Sequence, residues 1–396
     1  MKLLVAIPAL NEEESIATII ERCLAARAVI LRDSPVTAVE ITVVSDGSTD
    51  RTVEIARRYA DRVRLVEFPE NRGHGAAIKA AWQDSDADLL GFLDADGTCD
   101  PEAFAPLCAT LLATDADVVV GCRLNAGSHM PLVRRLGNVV FAVMLSAVAA
   151  ERVRDVSSGM RVVRRTSLPR LMPLPDRMAF TPAMSARAIL STDLALVEVE
   201  IPYHERAGHS KLHVVRDGLR FLKVILEAAF LYRPFRPLLV LGIACGLVAA
   251  GLIAMPTMYY LHHRSVAEWM IYRFVVSSLM ASSACLLLAT AYLTRRIVAI
   301  VLDGSERRSP GVAKRGGGLR FWLLPGSMLV VGGWLVMPSF LELVRTGSTY
   351  EHWSRFIAMS CLSSCALILI VARIFDYCLD LLAARVAYLK GSTDEA

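Results

Sequence analysis

Residues 89–101 read LLGFLDADGTCDP, an apolar run that ends in Asp94, Asp96 and Asp100. Buried carboxylates are costly unless they are paired or hold a cation. Asp and Gly also build turns at strand ends, and that plainer reading covers DADG taken alone. Asp94 and Asp96, two positions apart, can instead turn carboxylate oxygens toward one point. Mg²⁺ or Mn²⁺ takes oxygen ligands and commonly completes its shell with water and substrate phosphate. The chemistry this spacing offers is cation-assisted handling of a diphosphate.

Four more stretches carry suitable residue types. In SDGSTD (45–50), Asp46 is suited to accept hydrogen bonds from a ribose or base edge, while Thr49 and Asp50 read as helix caps. In ENRGHGAAIK (70–79), Gly73 and Gly75 permit close backbone approach, and a helix N-terminus favours anionic groups. A tight turn is the plainer alternative there, and without Gly-Lys-Ser/Thr it is no P-loop. DVSSGMRVVRR (155–165) and ERAGHSKLH (205–213) each mix charge, Gly and Ser. Arg206, Ser210 and Lys211 suit either phosphate contacts or a solvated basic loop near anionic lipid.

The elements that must position these residues alternate in type. LLVAIP (3–8), ITVVSD (41–46), VRLVEF (63–68), DLLGFLD (88–94) and DVVVGCR (117–123) read as strands, with helical patterns between them. That alternation predicts an α/β, mainly parallel, doubly wound sheet. Ligands of such sheets bind beyond the carboxyl ends of the strands, where ALNEEE, SDGSTD, ENRGHG, LDADGT and GCRLN fall.

Of the 396 residues, 54% are hydrophobic and 21% charged, with the apolar excess beyond Arg236. Four runs, at about 237–261, 274–293, 321–343 and 356–376, approach the roughly 20 residues of a bilayer crossing. A soluble helical core explains them poorly, because they are long and nearly uncharged. The linker between the second and third runs holds Arg295, Arg296, Arg307, Arg308, Lys314, Arg315 and Arg320. The positive-inside rule places that linker in the cytoplasm, and with it the N-terminal domain and the C-terminal tail. The apolar segment 131–152 suits an interfacial helix or a buried domain helix equally, whereas 211–232 is amphipathic and reads as juxtamembrane. The expected division is a catalytic domain at 1–210, the juxtamembrane helix, a membrane domain at 233–382 and a tail at 383–396. The net charge of +4 does not suggest nucleic acid, and the nine Cys lack zinc-site spacing, which fits a reducing cytoplasmic side. The start reads as a first strand, not a signal peptide. A homo-oligomer is left open.

IPALNEEES, VVSDGSTDRT, NRGHGAA, DADGT, DVSSGMR and RAGHSK, in this order, resemble the family-2 glycosyltransferases of GT-A fold. Within that family the set looks most like the branch of dolichol-phosphate mannose synthase and the bacterial polyprenyl-phosphate glycosyltransferases. The resemblance covers about residues 1–230 through motifs, and the membrane part through its type only. It implies inverting transfer of a hexose from a UDP- or GDP-sugar to a polyprenyl monophosphate. Asp94 and Asp96 match the metal-binding pair, and Pro8, Glu12 and Asp46 the nucleotide contacts, with Gly73 beside the donor. Arg206 and Lys211 match donor-phosphate contacts, and Arg123 and Arg135 lipid-phosphate contacts. Asp155 matches the acidic residue near the reacting centre. A phosphate monoester has a second pKa near 6 and is largely dianionic at about pH 7. Asp155 is therefore cast as an orienting group, with base catalysis the lesser role. Thr98 stands where many relatives carry a metal-supporting Gln. A processive polysaccharide synthase is disfavoured, because its QxxRW motif is missing and Gln83 is the sole Gln. A non-catalytic scaffold is opposed by the intact DADG, Arg206 and Lys211.

Overall fold

The computed structural model describes residues 1–125, 128, 130–149, 151–204, 214–303, 319–348 and 352–394. The chain divides into two compact units, Met1–Tyr232 and Arg233–Ala396.

The first unit runs β1 (Lys2–Ala9), α1 (Ile16–Asp33), β2 (Ala38–Asp46), α2 (Thr52–Arg57), β3 (Arg64–Phe68), α3 (His74–Gln83), β4 (Leu89–Leu93), α4 (Phe104–Ala113) and β5 (Val118–Cys122). It continues through α5 (Leu132–Ala149), β6 (Met160–Arg164), α6 (Leu168–Leu171), α7 (Phe180–Leu190), β7 (Leu196–Glu200) and α8 (Val214–Tyr232). Side chains alternate across a strand, so a strand buried on both faces must be apolar throughout. β1 meets this rule: Leu3, Val5 and Ile7 enter one core with Leu107 of α4. Leu4 and Ala6 enter the other, with Ala77 and Ala81 of α3 and Met184 of α7.

The seven strands are ordered β3-β2-β1-β4-β6-β5-β7. Four of the six pairings are parallel, and β6 runs antiparallel to both β4 and β5. The reversal matters for chemistry. Leu93, the last residue of β4, lies opposite Met160, the first of β6. The 155–159 loop therefore arrives at the same sheet edge as Asp94.

α5 has two faces. Ala142, Leu145 and Ala149 join a core with Ile189 of α7 and Ile225 and Ala228 of α8. Leu132, Leu136, Val140 and Val143 are exposed.

The second unit contains α9 (Phe235–His263), α10 (Ile271–Val298), α11 (Leu319–Thr346) and α12 (Trp353–Asp394). α10 packs against α9 and α12, and α12 against α11. α12 continues into the expected tail as far as Asp394; the run LLAARVAYLK has neither Pro nor Gly to stop a helix. By length and composition, α5 and the four long helices of this unit are each apolar enough to cross a membrane. A charged cluster joins α10 to α12: Arg296 pairs with Asp376 and, at 2.8 Å, with Asp380, Arg373 also pairs with Asp376, and the Tyr292 hydroxyl donates to Asp376 at 3.1 Å.

Candidate active site

At the carboxyl ends of β1, β2 and β4 lies a cavity of about 360 Å³. Pro8, Glu12, Asp46, Gly73, Asp94, Asp96 and Arg123 line it, so the predicted positions from five separate loops converge.

The first two loops are tied together. Asn11 accepts from the Thr49 N–H at 2.8 Å, the Glu12 N–H donates to the Thr52 hydroxyl at 2.8 Å, and the Glu13 N–H donates to Asp50 at 3.1 Å. Asp50 also accepts from the Thr52 N–H at 2.9 Å, which is the capping role its sequence suggests. Asp46 does something the sequence did not indicate. Its carboxylate accepts the N–H groups of Arg72 at 2.7 Å and Gly73 at 2.9 Å. The anion at the N-terminus of α3 is thus a side chain of the protein itself. Burial raises the Asp46 carboxyl above its ordinary pKa, against the pull of those two N–H bonds. Gly73 has φ +109°, and a Cβ there would lie 2.4 Å from the Asp176 carbonyl oxygen. The Ala76 N–H donates to that same oxygen at 2.9 Å.

Of the three carboxylates that close β4, Asp100 is structural: it accepts from the Glu102 N–H at the next helical turn. Asp96 accepts from the Thr98 N–H at 3.1 Å and the Thr98 hydroxyl at 2.7 Å. Thr98, the residue at which this sequence departs from the family's pattern, therefore aims Asp96. Asp94 is gripped from two directions. His74 Nε2 lies 2.9 Å from its Oδ1, and Gly159 approaches so closely that a Cβ would sit 2.0 Å from its Oδ2. Among the described residues, no three His, Cys, Asp or Glu side chains form a ready metal cluster. Two cavity-lining carboxylates fit Mg²⁺ or Mn²⁺ if a substrate diphosphate and water supply the other oxygens.

The remaining predicted residues sort differently. Asp155 is fully buried and does not line the cavity. Both its oxygens engage Arg123, at 2.8 and 2.9 Å, and Asn138 donates to it at 3.1 Å. Burial alone would raise the Asp155 carboxyl, but the Arg123 charge and hydrogen bonds outweigh it and hold the pKa below the usual range. For Arg123, burial opposes the charge, yet Asp155 keeps the guanidinium raised. Asp155 therefore holds Arg123 in place, and the Arg123 guanidinium also lies 5.6 Å from the centre of the Tyr203 ring. Arg135 is exposed on α5 and does not line the cavity; Arg134 does. Adjacent helical residues point about 100° apart, so the sequence pair RR left this choice open. Arg206 and Lys211 lie outside the described residues. Their described neighbours border the site: the His204 N–H donates to the Thr98 carbonyl at 2.9 Å, and Tyr203, Arg216 and Phe221 line the cavity.

Three cavity or scaffold residues went unnoticed in the sequence. His74 sits inside a motif read for its glycines. Arg177 lines the cavity from the MPLPDRMAF stretch, which carried no motif. Arg161 is fully buried in β6 and donates to the Ser158 and Val156 carbonyls at 3.1 and 2.8 Å, stapling the 155–159 loop. Burial lowers its pKa to about 10, which leaves it charged at neutral pH. A charge in the middle of the MRVV run was its only signal.

The model of glycosyl transferase family 2 matches residues 4–172. A low-salt glycan biosynthesis hexosyltransferase of Haloferax volcanii is 35% identical over 57% of this chain and 53% of its own, so the chain spans about half of that relative. A dolichyl-phosphate hexose transferase of the same organism is 34% identical over 55% of this chain and 89% of its own. Among solved structures, glucosyl-3-phosphoglycerate synthase from Mycobacterium tuberculosis in complex with Mn²⁺, uridine diphosphate and phosphoglyceric acid is similar at 21% identity. The match covers 58% of this chain and 78% of that one, with a TM-score of 0.45.

Proposed function

The chain belongs to glycosyl transferase family 2, and from that premise we propose that it moves a hexose from a UDP- or GDP-sugar to a polyprenyl monophosphate at the cytoplasmic face of a membrane. One observation carries the reading. A single cavity is walled by the carboxylates at the strand ends and by Val133, Phe141 and Phe221 of the amphipathic helices α5 and α8. A polar, diphosphate-sized region continuous with an apolar helical wall suits a water-soluble donor and a lipid acceptor.

In this reading Pro8 and Glu12 border the nucleotide, and Asp46 shapes the 71–73 turn beside it. Asp94 and Asp96 would hold Mg²⁺ or Mn²⁺, which neutralises charge on the departing nucleoside diphosphate. Arg206 and Lys211 are assigned to the same diphosphate. The acceptor phosphate, already largely dianionic near pH 7, needs no strong base. One of its oxygens forms a bond to the anomeric carbon as the bond from that carbon to the donor diphosphate breaks. The leaving nucleoside diphosphate takes the electron pair, and the configuration inverts. Arg123, pre-aimed by Asp155, and Arg134 clamp the acceptor phosphate. The relative named for dolichyl-phosphate hexose transfer supports the acceptor class. The Arg-rich linker supports the cytoplasmic orientation.

The test incubates detergent-solubilised full-length protein and polyprenyl phosphate with a panel of UDP- and GDP-sugars and Mg²⁺ or Mn²⁺. Mass spectrometry reads the lipid. One lipid-phosphate-hexose is expected, lost with chelator and in Asp96→Asn. Nucleotide-sugar binding without product from any donor overturns the reading.

A further inference from the structure

We propose that His74 is a positioning residue that sets Asp94 for the divalent cation and the donor diphosphate. The inference rests on the cation reading of Asp94 and Asp96 and adds a residue to it. Four observations carry it. The His74 ring nitrogen Nε2 is 2.9 Å from Asp94 Oδ1. An ionised carboxylate only accepts, so Nε2 carries the proton and donates. The ring cannot easily turn away, because it meets Phe92 edge-on with centroids 6.3 Å apart. Phe92 is itself wedged between Trp82 and Phe180, at 6.1 and 5.8 Å. The Nδ1 atom is buried with no hydrogen-bond partner among the described residues, so the ring's only polar bond goes to Asp94. Finally, Gly159 closes the opposite side of the carboxylate.

His74 is also the first residue of α3, directly after Gly73, whose N–H is held by Asp46. A short covalent path thus joins the turn beside the nucleotide to the carboxylate that faces the cation. Hydrogen bonds to metal-ligating groups fix ligand orientation, and their loss typically costs 10–100-fold in metal affinity. A collapsed site would lose nucleotide and cation together. Loss of positioning weakens the cation alone.

The experiment titrates Mn²⁺ into the full-length protein in detergent with UDP or GDP present, following free Mn²⁺ by electron paramagnetic resonance. Nucleotide affinity without metal is measured in parallel. His74→Phe keeps the packing against Phe92 and removes the donor; His74→Gln restores an N–H near the position of Nε2. The expected result is a Mn²⁺ midpoint raised about tenfold in His74→Phe and largely recovered in His74→Gln, with metal-free nucleotide affinity unchanged in both. If His74→Phe does not fold, His74→Ala replaces it in the same comparison. An unchanged midpoint in His74→Phe, while Asp94→Asn abolishes Mn²⁺ binding, refutes the role of His74 and leaves the cation site standing. If the wild-type protein binds no Mn²⁺ with either nucleotide, the cation site and this inference fall together.

Discussion

Gly159 sets how closely the loop before β6 can approach Asp94, and a single methyl group there is a sharp probe of the site. In Gly159→Ala the new Cβ would fall 2.0 Å from Asp94 Oδ2. A carboxylate at the end of a side chain can swing aside, so the fold should keep a thermal midpoint near that of the wild type. The displaced ligand should cost about a hundredfold in turnover, as an ångström of misplacement at a reacting centre commonly does. A variant with full activity and unchanged midpoint would show that Asp94 is not aimed from this side. The Asp155–Arg123 pair makes a prediction of the opposite kind, about stability. Asp155 is buried and the Arg123 side chain is only 11% exposed, so Asp155→Asn strands the Arg123 charge and should destabilise by about 3 kcal/mol at neutral pH. The sign with pH follows from the depressed Asp155 pKa. The stabilisation is complete above the ordinary carboxyl value of 3.8 and is lost as pH falls through the lower folded-state value. Unfolding midpoints of wild type and Asp155→Asn should therefore lie far apart at pH 7 and converge only under strong acid.

At the scale of elements, α5 divides its labour between faces. Its inner residues Ala142, Leu145 and Ala149 are locked into the core with α7 and α8, and Asn138 reaches inward to Asp155. Its outer residues Leu136 and Val140 are exposed, at 67% and 47%. Exposed substitutions normally change stability by no more than about 0.5 kcal/mol. The double variant Leu136→Glu/Val140→Glu should therefore fold and bind nucleotide as the wild type does. If that face meets lipid, turnover with a long polyprenyl phosphate in vesicles should drop at least about tenfold, since acidic side chains are expensive in an apolar phase. Equal turnover of both proteins in vesicles would remove α5 from the lipid interface.

The molecule as a whole joins an α/β unit of catalytic type to a unit of four long apolar helices. Even that second unit has internal polarity, in the cluster of Arg296, Arg373, Asp376 and Asp380. Charges among apolar helices persist when paired, and these four balance. If the four long helices each cross, both ends of the chain lie on one side. Fluorescent or phosphatase reporters fused at Met1 and after Ala396 should both report the cytoplasm, and a cysteine introduced near Gly347, between α11 and α12, should label from outside. Opposite sides for the two ends would mean an odd number of crossings, with α5 the apolar helix available to supply a fifth.

Local repetition was enough to read the alternating strands and helices, the four long apolar runs and the Asp94/Asp96 pair, because each of these is written in neighbouring residues. Side-chain aim across the fold was not. His74 meets Asp94 from 20 residues away, and Arg123 meets Asp155 from 32 residues away. Whether Arg134 or Arg135 enters the cavity depends on which face of α5 the core claims. The direction of β6 was equally illegible, since a buried strand carries the same apolar pattern whichever way it runs. That one reversal brings Gly159 against Asp94, and the tertiary pairing of β4 with β6 decided it.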